Sequence, residues 1–597
     1  MASSGFKNSI SRGKAPLNIK EIERHDSNSV RYASHNSQLF KYSDARNRKE
    51  LAKIVAVENL SFSFGEKLGF LNYCHTALNP DACRVPRNIV IRTMFDIYKK
   101  EKRALVKYFK NYGGRVSVCT DIWYDHWQQH AYLAVTCHFI NDAWVMQKRI
   151  LAFRVFDDFI ADNIYKLMKI IFEEYSIENK IFTIGFDNVV NNNVVVPQLY
   201  ALCNRYFDGR LFYQKCAYHV LNLCVQNGLE ILQENIKPIM DALYYLWKHP
   251  STMKRWTRFC ISHRKHPIRF SCDVPTRWKS TYKLLCESYE YRELLIRFMQ
   301  YNISSINLYP QHWDVCIKIC ELLKLFNDAT NTLSGIYYPN IHLFFIEALN
   351  IVGAFSQCAN DQLLADCVKV MKSTWLNYYK DIPIIYAIAL CFDPRCKLDN
   401  LLECYTMYYE CLGIDDVDLV SIFNNVKTLF YQLYDEYLGV YGPSLNITVQ
   451  KPQKDSQSKV PTTFKKLGST LLSKQTSTSE IDVYLKTAFE FVENVDFDIQ
   501  EWWRDHEKIF PILAIIAKQI LGTPVSTVAV EQEFNTGRNV LDERRSLLSP
   551  DLIEAQVCVE DWTKAQMREQ EMDQPSDDND FFDNDETTST EGTSDDS

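Results

Sequence analysis

The chain has 597 residues, 46% hydrophobic and 24% charged, enough apolar material for several packed cores and too much for a wholly disordered protein. Only 18 residues are glycine, which argues against turn-dense barrels and glycine-rich nucleotide loops, and no G-x-x-x-x-G-K-[ST] occurs. The net charge of -7 hides a polarity: from Glu569 to Ser597 there are twelve acids and no Lys or Arg, so the rest of the chain carries about +5.

Residues 1–50 hold ten Lys or Arg against five Asp or Glu and lack apolar periodicity, and they read as a disordered basic arm. Residues 51–112 read as helical. A strand-rich block follows, with runs at Val116–Trp123, Tyr132–Ile140 and Gln147–Phe153. A helix is predicted over Ala161–Tyr175, then a strand over Ile181–Phe186, a strand over Arg210–Cys216 and a helix over His219–Leu229. Three adjacent strands, then helix, strand, helix, strand, helix is a mixed α/β order. We assign 113–240 to this domain and 241–445 to an all-helical insertion, in which Val315, Ile319, Leu322, Phe326, Ala329 and Leu333 share one face. Residues 446–480 are polar and read as a linker. In the block 481–566, Pro511 opens and Gly522 closes an apolar helix, and Thr523, Ser526 or Thr527 is placed to cap the next. Residues 567–597 read as an acidic disordered tail.

No run of about 18 apolar residues is evident, so no membrane span is expected, and the first residues lack the apolar core of a secretory signal. The 19 cysteines are odd in number and include no C-x-x-C, a pattern expected of reduced thiols.

Three acids stand out as candidate chemistry. Asp121 lies near the end of an apolar strand, on the same face as Cys119 and Trp123 by period-two alternation. Asp187 ends the strand Ile181–Phe186, and two such strands side by side would bring the carboxylates together, a costly arrangement that a divalent cation relieves. Glu531 shares a largely apolar helix face with Thr527, Val528 and Phe534. Convergence of the three would make a two-metal site for phosphoryl transfer. From spacing alone each acid reads more readily as a cap or an ion-pair member.

The ordered motifs narrow this. They are Thr120-Asp121-Ile122-Trp123, Gln147-Lys148-Arg149, Asp187-Asn188, Cys216-Ala217-Tyr218-His219, Arg277-Trp278, Phe392-Asp393-Pro394-Arg395, Trp502-Trp503, Phe510-Pro511, Pro524–Ala529 with Glu531, and Asp561-Trp562. In this series the chain resembles plant hAT-superfamily transposases of the Activator-like and BED-finger RICESLEEPER type. The resemblance implies a ribonuclease H-like mixed sheet interrupted by a large all-α insertion, with a helical C-terminal dimerisation region. It implies Asp121, Asp187 and Glu531 as metal-binding acids for Mg²⁺ or Mn²⁺, and Cys216 and His219 as a C-x-x-H near the site, with His219 contacting a scissile phosphate or orienting an acid. It further implies Arg277 and Trp278 as DNA contacts, the indole stacking on a displaced base, which is worth about 1–3 kcal/mol. DNA and a second copy of the chain are the implied partners, and the nucleus the implied location.

Departures count as well. The family's BED zinc finger needs paired Cys and His, whereas residues 1–73 offer His25 and His35 and no cysteine, so no tetrahedral zinc site can be assembled there. Val189-Val190 and Tyr124-Asp125 replace smaller pairs beside the first two acids, and Val530 and Gln532 flank the third. Three functions are therefore carried forward: a transposase-derived, DNA-binding, dimerising nuclear protein that does not transpose by itself; an active transposase with metal-dependent cleavage and strand transfer; and a dimerisation scaffold only.

Overall fold

The computed structural model describes residues 42–125, 128–156, 160–187, 192–203, 209–271, 273, 278–303, 306–443, 445, 479–489, 497–540 and 548–572. Its sheet consists of β1 (Val116–Asp125), β2 (His130–Ile140), β3 (Met146–Phe156), β4 (Ile181–Phe186) and β5 (Tyr213–Lys215), in the order β3-β2-β1-β4-β5. The first three strands pair antiparallel, and β4 and β5 join β1 in parallel. This is the ribonuclease H-like mixed sheet expected from the motif series. The predicted strand over Arg210–Cys216 shrinks to three residues, because it is an edge with a single neighbour and Cys216 turns away to begin a helix.

Around the sheet the helices run in chain order as α1 (Asp44–Val57), α2 (Leu68–Tyr73), α3 (Arg87–Asn111), α4 (Ala161–Tyr175), α5 (Asn192–Leu202), α6 (Ala217–Ile231) and α7 (Gln233–Lys248). The helical layer continues through α8 (Pro250–Ser262), α9 (Trp278–Tyr289), α10 (Arg292–Asn302), α11 (Pro310–Leu333), α12 (Phe344–Cys358), α13 (Ala365–Tyr379), α14 (Ile384–Cys391), α15 (Leu401–Leu412) and α16 (Leu419–Tyr441). The C-terminal block supplies α17 (Glu480–Lys486), α18 (Ile499–His506), α19 (Pro511–Leu521), α20 (Val528–Val540) and α21 (Pro550–Met572).

Both faces of the sheet are buried, and strand alternation sorts the residues between them. Val116, Val118, Leu133, Val135 and Cys137 face a core shared with α4 and α5. Cys119, Tyr132, Ala134, Ile150 and Phe153 face the opposite core, built from α1, α3, α20 and α21. There Gly537 of α20 sits so close to β3 that an added Cβ would lie 2.6 Å from the Phe153 ring, so the helix can approach only with glycine at this position.

Several sequence expectations need correction. The basic arm drawn over 1–50 gives way to helix at Asp44, because Leu51, Ala52, Val55 and Ala56 of α1 are buried against α3 and α21. Helix α21 runs to Met572, past the predicted start of the tail at 567. The boundary at 240 falls inside α7. The run Ile341–Cys358 is long and apolar enough to cross a membrane by length and composition, contrary to the reading above. It packs instead as an interior helix, with Phe344, Phe345, Ala348, Ile351, Val352 and Phe355 buried. The rest of the arm, most of the linker and most of the tail lie outside the described residues.

The C-terminal block is woven into both layers. Glu480 caps α19 by accepting from the Ile512 and Leu513 backbone N–H groups at 3.3 and 2.8 Å. Trp503 donates to the Phe392 carbonyl at 3.0 Å, Tyr484 to the Cys391 carbonyl at 2.9 Å, and Asp393 pairs with Arg395 at 2.6 Å. The Phe392–Arg395 motif is thus the joint between α14 and the C-terminal helices. Trp503, Phe510, Ile512, Ile516 and Leu521 are spent on this internal core, so they are not available as a surface for a second copy.

Trp562 shows how tightly the ends are tied. It stacks on Tyr98 of α3 at 5.6 Å and donates to the Ile150 carbonyl of β3 at 2.9 Å. Trp562→Ala is therefore expected to cost about 3–5 kcal/mol, the range for deleting a buried tryptophan, measured as a lowered denaturation midpoint.

Candidate active site

The register of the sheet places the first two acids side by side. Strands β1 and β4 pair in parallel through Cys119 with Gly185 and Thr120 with Phe186, so Asp121 and Asp187 are the next positions on each strand. Gly185 makes this closeness possible, since a Cβ there would lie 2.9 Å from Cys119 Sγ. The two carboxyls are close enough to act on each other. Burial, then the charge of Asp187, pushes the Asp121 carboxyl up; its Oδ1 also accepts from the Ile122 N–H at 2.7 Å, which opposes the rise. Burial likewise raises Asp187.

Glu531 arrives from the far end of the chain by a series of contacts along β1. The hydroxyls of Ser117 and Thr523 meet at 3.0 Å, although 406 positions separate them. Cys119 Sγ donates to the Ser526 carbonyl at 3.8 Å, and the Trp123 ring stacks on Phe534 at 6.1 Å. Asp121 lies between Cys119 and Trp123 on this face, and Glu531 lies between Ser526 and Phe534 on the covering segment. Glu531 accordingly adds like charge to Asp121, a smaller effect than that of Asp187.

Cys216 locks this segment in place. As the N-cap of α6, its sulfur accepts from the His219 N–H at 3.4 Å, and from the N–H and hydroxyl of Thr527 at 3.3 and 3.2 Å. The Ala217 N–H donates to the Val525 carbonyl at 3.0 Å. Thr527 in turn accepts from the Val530 and Glu531 N–H groups, so the residue bonded to Cys216 also begins the helix that carries Glu531. Burial pushes the Cys216 thiol up to about 11 against these three donors, so it stays a thiol and acts as a tie rather than a nucleophile. His219, in the first turn of α6, feels the charge of Asp187; burial outweighs that attraction and lowers its pKa, leaving a neutral imidazole at physiological pH.

The other nominated residues are placed differently. Trp278 opens α9 but is only 2% exposed, among buried side chains of the helical layer with Tyr282 at 6.2 Å, so its ring is interior and not an open stacking platform. Arg277 and Asn188 lie outside the described residues. One group escaped the sequence reading. Lys148, 2% exposed on β3, is clamped between Glu533 of α20 and Asp561 of α21, the latter at 2.8 Å. Burial opposes its charge, but the two carboxylates outweigh burial and hold it protonated. Asp561 also accepts from the Ile150 N–H at 2.8 Å. Gln147 and Arg149 flank it, so no local pattern marks Lys148 as the buried one.

The donor set suits a hard divalent cation: oxygen ligands, like charges forced together, and a carboxyl kept protonated when no cation balances it. Among the described residues no three His, Cys, Asp or Glu side chains stand as a ready-made ligand set, so the aspartate pair is the preformed part and Glu531 the outer member.

Comparison with known families agrees with this geometry. Residues 480–563 match the hAT family C-terminal dimerisation region, and 342–437 match the hAT-like transposase, RNase-H fold. Through these two segments the chain is similar to hAT transposases. Residues 119–207 and 214–322 also match the ZBED1 RNase-like domain and the ZBED1 RNase-like helical domain. Its similar proteins include a putative AC transposase of Zea mays, 27% identical over 94% of this chain and 70% of that one. The zinc finger BED domain-containing protein RICESLEEPER 2 of Oryza sativa subsp. japonica is 24% identical over 91% and 77%, and DAYSLEEPER of Arabidopsis thaliana 25% over 89% and 76%. The dimerisation-region match points to self-association of the chain.

Two outcomes follow for stability. Because the folded-state pKa of Asp121 is raised, ionising it opposes folding above that pKa and ceases to do so as pH falls through it. Metal-free Asp121→Asn should therefore melt above wild type at mildly alkaline pH, with the gap closing on acidification. Lys148→Met leaves two buried carboxylates without their cation and should cost about 3–5 kcal/mol by chemical denaturation, partly regained when Glu533→Gln and Asp561→Asn are added.

Proposed function

We propose that this protein binds DNA in the nucleus as a self-associated assembly, and that Asp121, Asp187 and Glu531 hold Mg²⁺ or Mn²⁺ for phosphoryl transfer on DNA strands. The placement of Asp121 and Asp187 at adjacent parallel strand positions, each carboxyl raised by burial, carries this reading, because a divalent cation relieves the cost of two buried acids set side by side. A divalent cation bound there supplies charge neutralisation and activates water or a 3′-hydroxyl toward a phosphodiester. The residues themselves set the geometry. Asp121 is fixed by the Ile122 N–H, Glu531 is carried on a helix tied to Cys216, and His219 lies near enough to Asp187 to feel its charge yet stays neutral, so it does not compete with the cation as a positive charge.

A second reading, DNA binding without transposition, is favoured by the absence of a ready-made three-residue ligand set among the described residues and by the altered neighbours Tyr124-Asp125 and Val189-Val190. Purified chain incubated with a hairpin-forming DNA end separates the two. Cleavage that needs Mg²⁺ or Mn²⁺, is abolished by Asp121→Asn and falls about 10–100-fold in His219→Ala supports the metal centre. DNA binding without cleavage supports the second reading, and self-association without DNA binding would reduce the chain to a scaffold.

Sedimentation of the intact chain should show a dimer or larger assembly; a monomer at all concentrations rejects self-association.

A further inference from the structure

Between Asp241 and Asp273 the chain has no acid, although acids outnumber Lys and Arg overall by 74 to 67. Helix α8 and the turn after it hold six cations in that interval: Lys254, Arg255, Arg258, Arg264, Lys265 and Arg269. All six are exposed, and none forms an ion pair among the described residues.

The fold holds these charges outward. Thr252, Trp256 and Cys260 recur every four residues and form the buried stripe of α8, which leaves Lys254 and Arg258 on the opposite side and Arg255 at its margin, where its guanidinium donates to Thr252 Oγ1 at 3.3 Å. The turn is pinned in turn. The Lys265 N–H donates to the Cys260 carbonyl at 3.0 Å, and Arg264 takes the left-handed backbone (φ 56°) that closes the helix. Trp256 donates to the Ile268 carbonyl at 3.2 Å and Tyr291 to the His266 carbonyl at 2.9 Å. The acid Glu287, which meets this segment from α9, is engaged by the Ser271 N–H and hydroxyl, each at 2.8 Å. The cations are therefore held together on ordered backbone without compensating charge. Within a Debye length of about 8–10 Å such charges repel one another.

We infer that α8 and its following turn form a second, sequence-independent contact surface for the phosphate backbone of duplex DNA, on the helical layer and apart from the carboxylate site. The inference rests on the DNA-binding reading above. Four of the six groups are guanidinium, the side chain that pairs with phosphate in bidentate fashion. An anionic membrane is the poorer partner, because the apolar stripe of α8 is already buried around Trp256 and Ile261 is the one large hydrophobic the helix exposes, too little to enter lipid.

The test measures the affinity of the full chain for a short mixed-sequence duplex over a range of salt. Each cation that neutralises a phosphate contributes about 0.9 to the slope of log affinity against log salt. Lys254→Gln/Arg255→Gln/Arg258→Gln is expected to lower that slope by about 2 or more. Arg264→Gln/Lys265→Gln/Arg269→Gln should do the same, both with wild-type melting temperature and oligomeric state. Wild-type slopes in both variants overturn this surface while leaving DNA binding intact. Absence of salt-dependent binding by the wild-type chain overturns the DNA reading and this surface together. Loss of binding to phosphatidylserine vesicles with unchanged DNA binding assigns the cations to lipid and also overturns it.

Discussion

The closure of the β1 face by residues 523–534 is the constraint on which the rest of the molecule depends. A central strand carrying Ser117, Cys119, Asp121 and Trp123 on one side presents two polar and two apolar groups in alternation, and each needs a different partner. The covering segment answers with Thr523, the Ser526 carbonyl, Glu531 and Phe534 in matching order. Hydroxyl meets hydroxyl, thiol meets carbonyl, ring meets ring, and the one like-charged encounter is left where a cation would fit. A hydroxyl pair at one end of the series and a ring stack at the other hold the acid in the middle.

The ties that keep this segment in position are polar and buried. Cys216 bonds Thr527 from the side of the insertion, while Lys148 bonds Glu533 and Asp561 from the side of β3. Helix α20 is thus held at two points, near its start by a thiol and near its middle by an ammonium group. Buried polar ties of this kind contribute little net stability but penalise every alternative register, because a slip would strand a charge in the core. That suits a helix whose single exposed duty is to aim one carboxylate.

Much of this arrangement was readable from the sequence. Period-two alternation placed Cys119, Asp121 and Trp123 on one face, and the strand and helix order gave the mixed sheet. The helix Ala161–Tyr175 and the strand Ile181–Phe186 coincide with the observed elements. What composition could not convey was long-range pairing. The fate of the aromatic block at 502–521 depended on whether α14 and α16 lay nearby to bury it, and they do. Trp278 illustrates the same blindness: a tryptophan beside an arginine looks like a surface contact, and only the packing of α9 shows its ring enclosed. Lys148 stands between Gln147 and Arg149, so nothing local marks it as buried, and its two partners stand hundreds of positions away. The membrane-length run at Ile341–Cys358 likewise becomes an interior helix only because neighbouring helices cover it.

The distance along the chain between Thr523 and Ser117 has a consequence for synthesis. Strand β1 leaves the ribosome long before the segment that covers it, so a nascent chain must carry an open sheet face and an uncompensated acid through the making of the entire helical layer. A message that ends early, as a broken genomic copy would, yields a polypeptide with its central strand bare and no third carboxylate. Such a product would lack Glu531 from the outset and expose a sheet face that the complete chain buries.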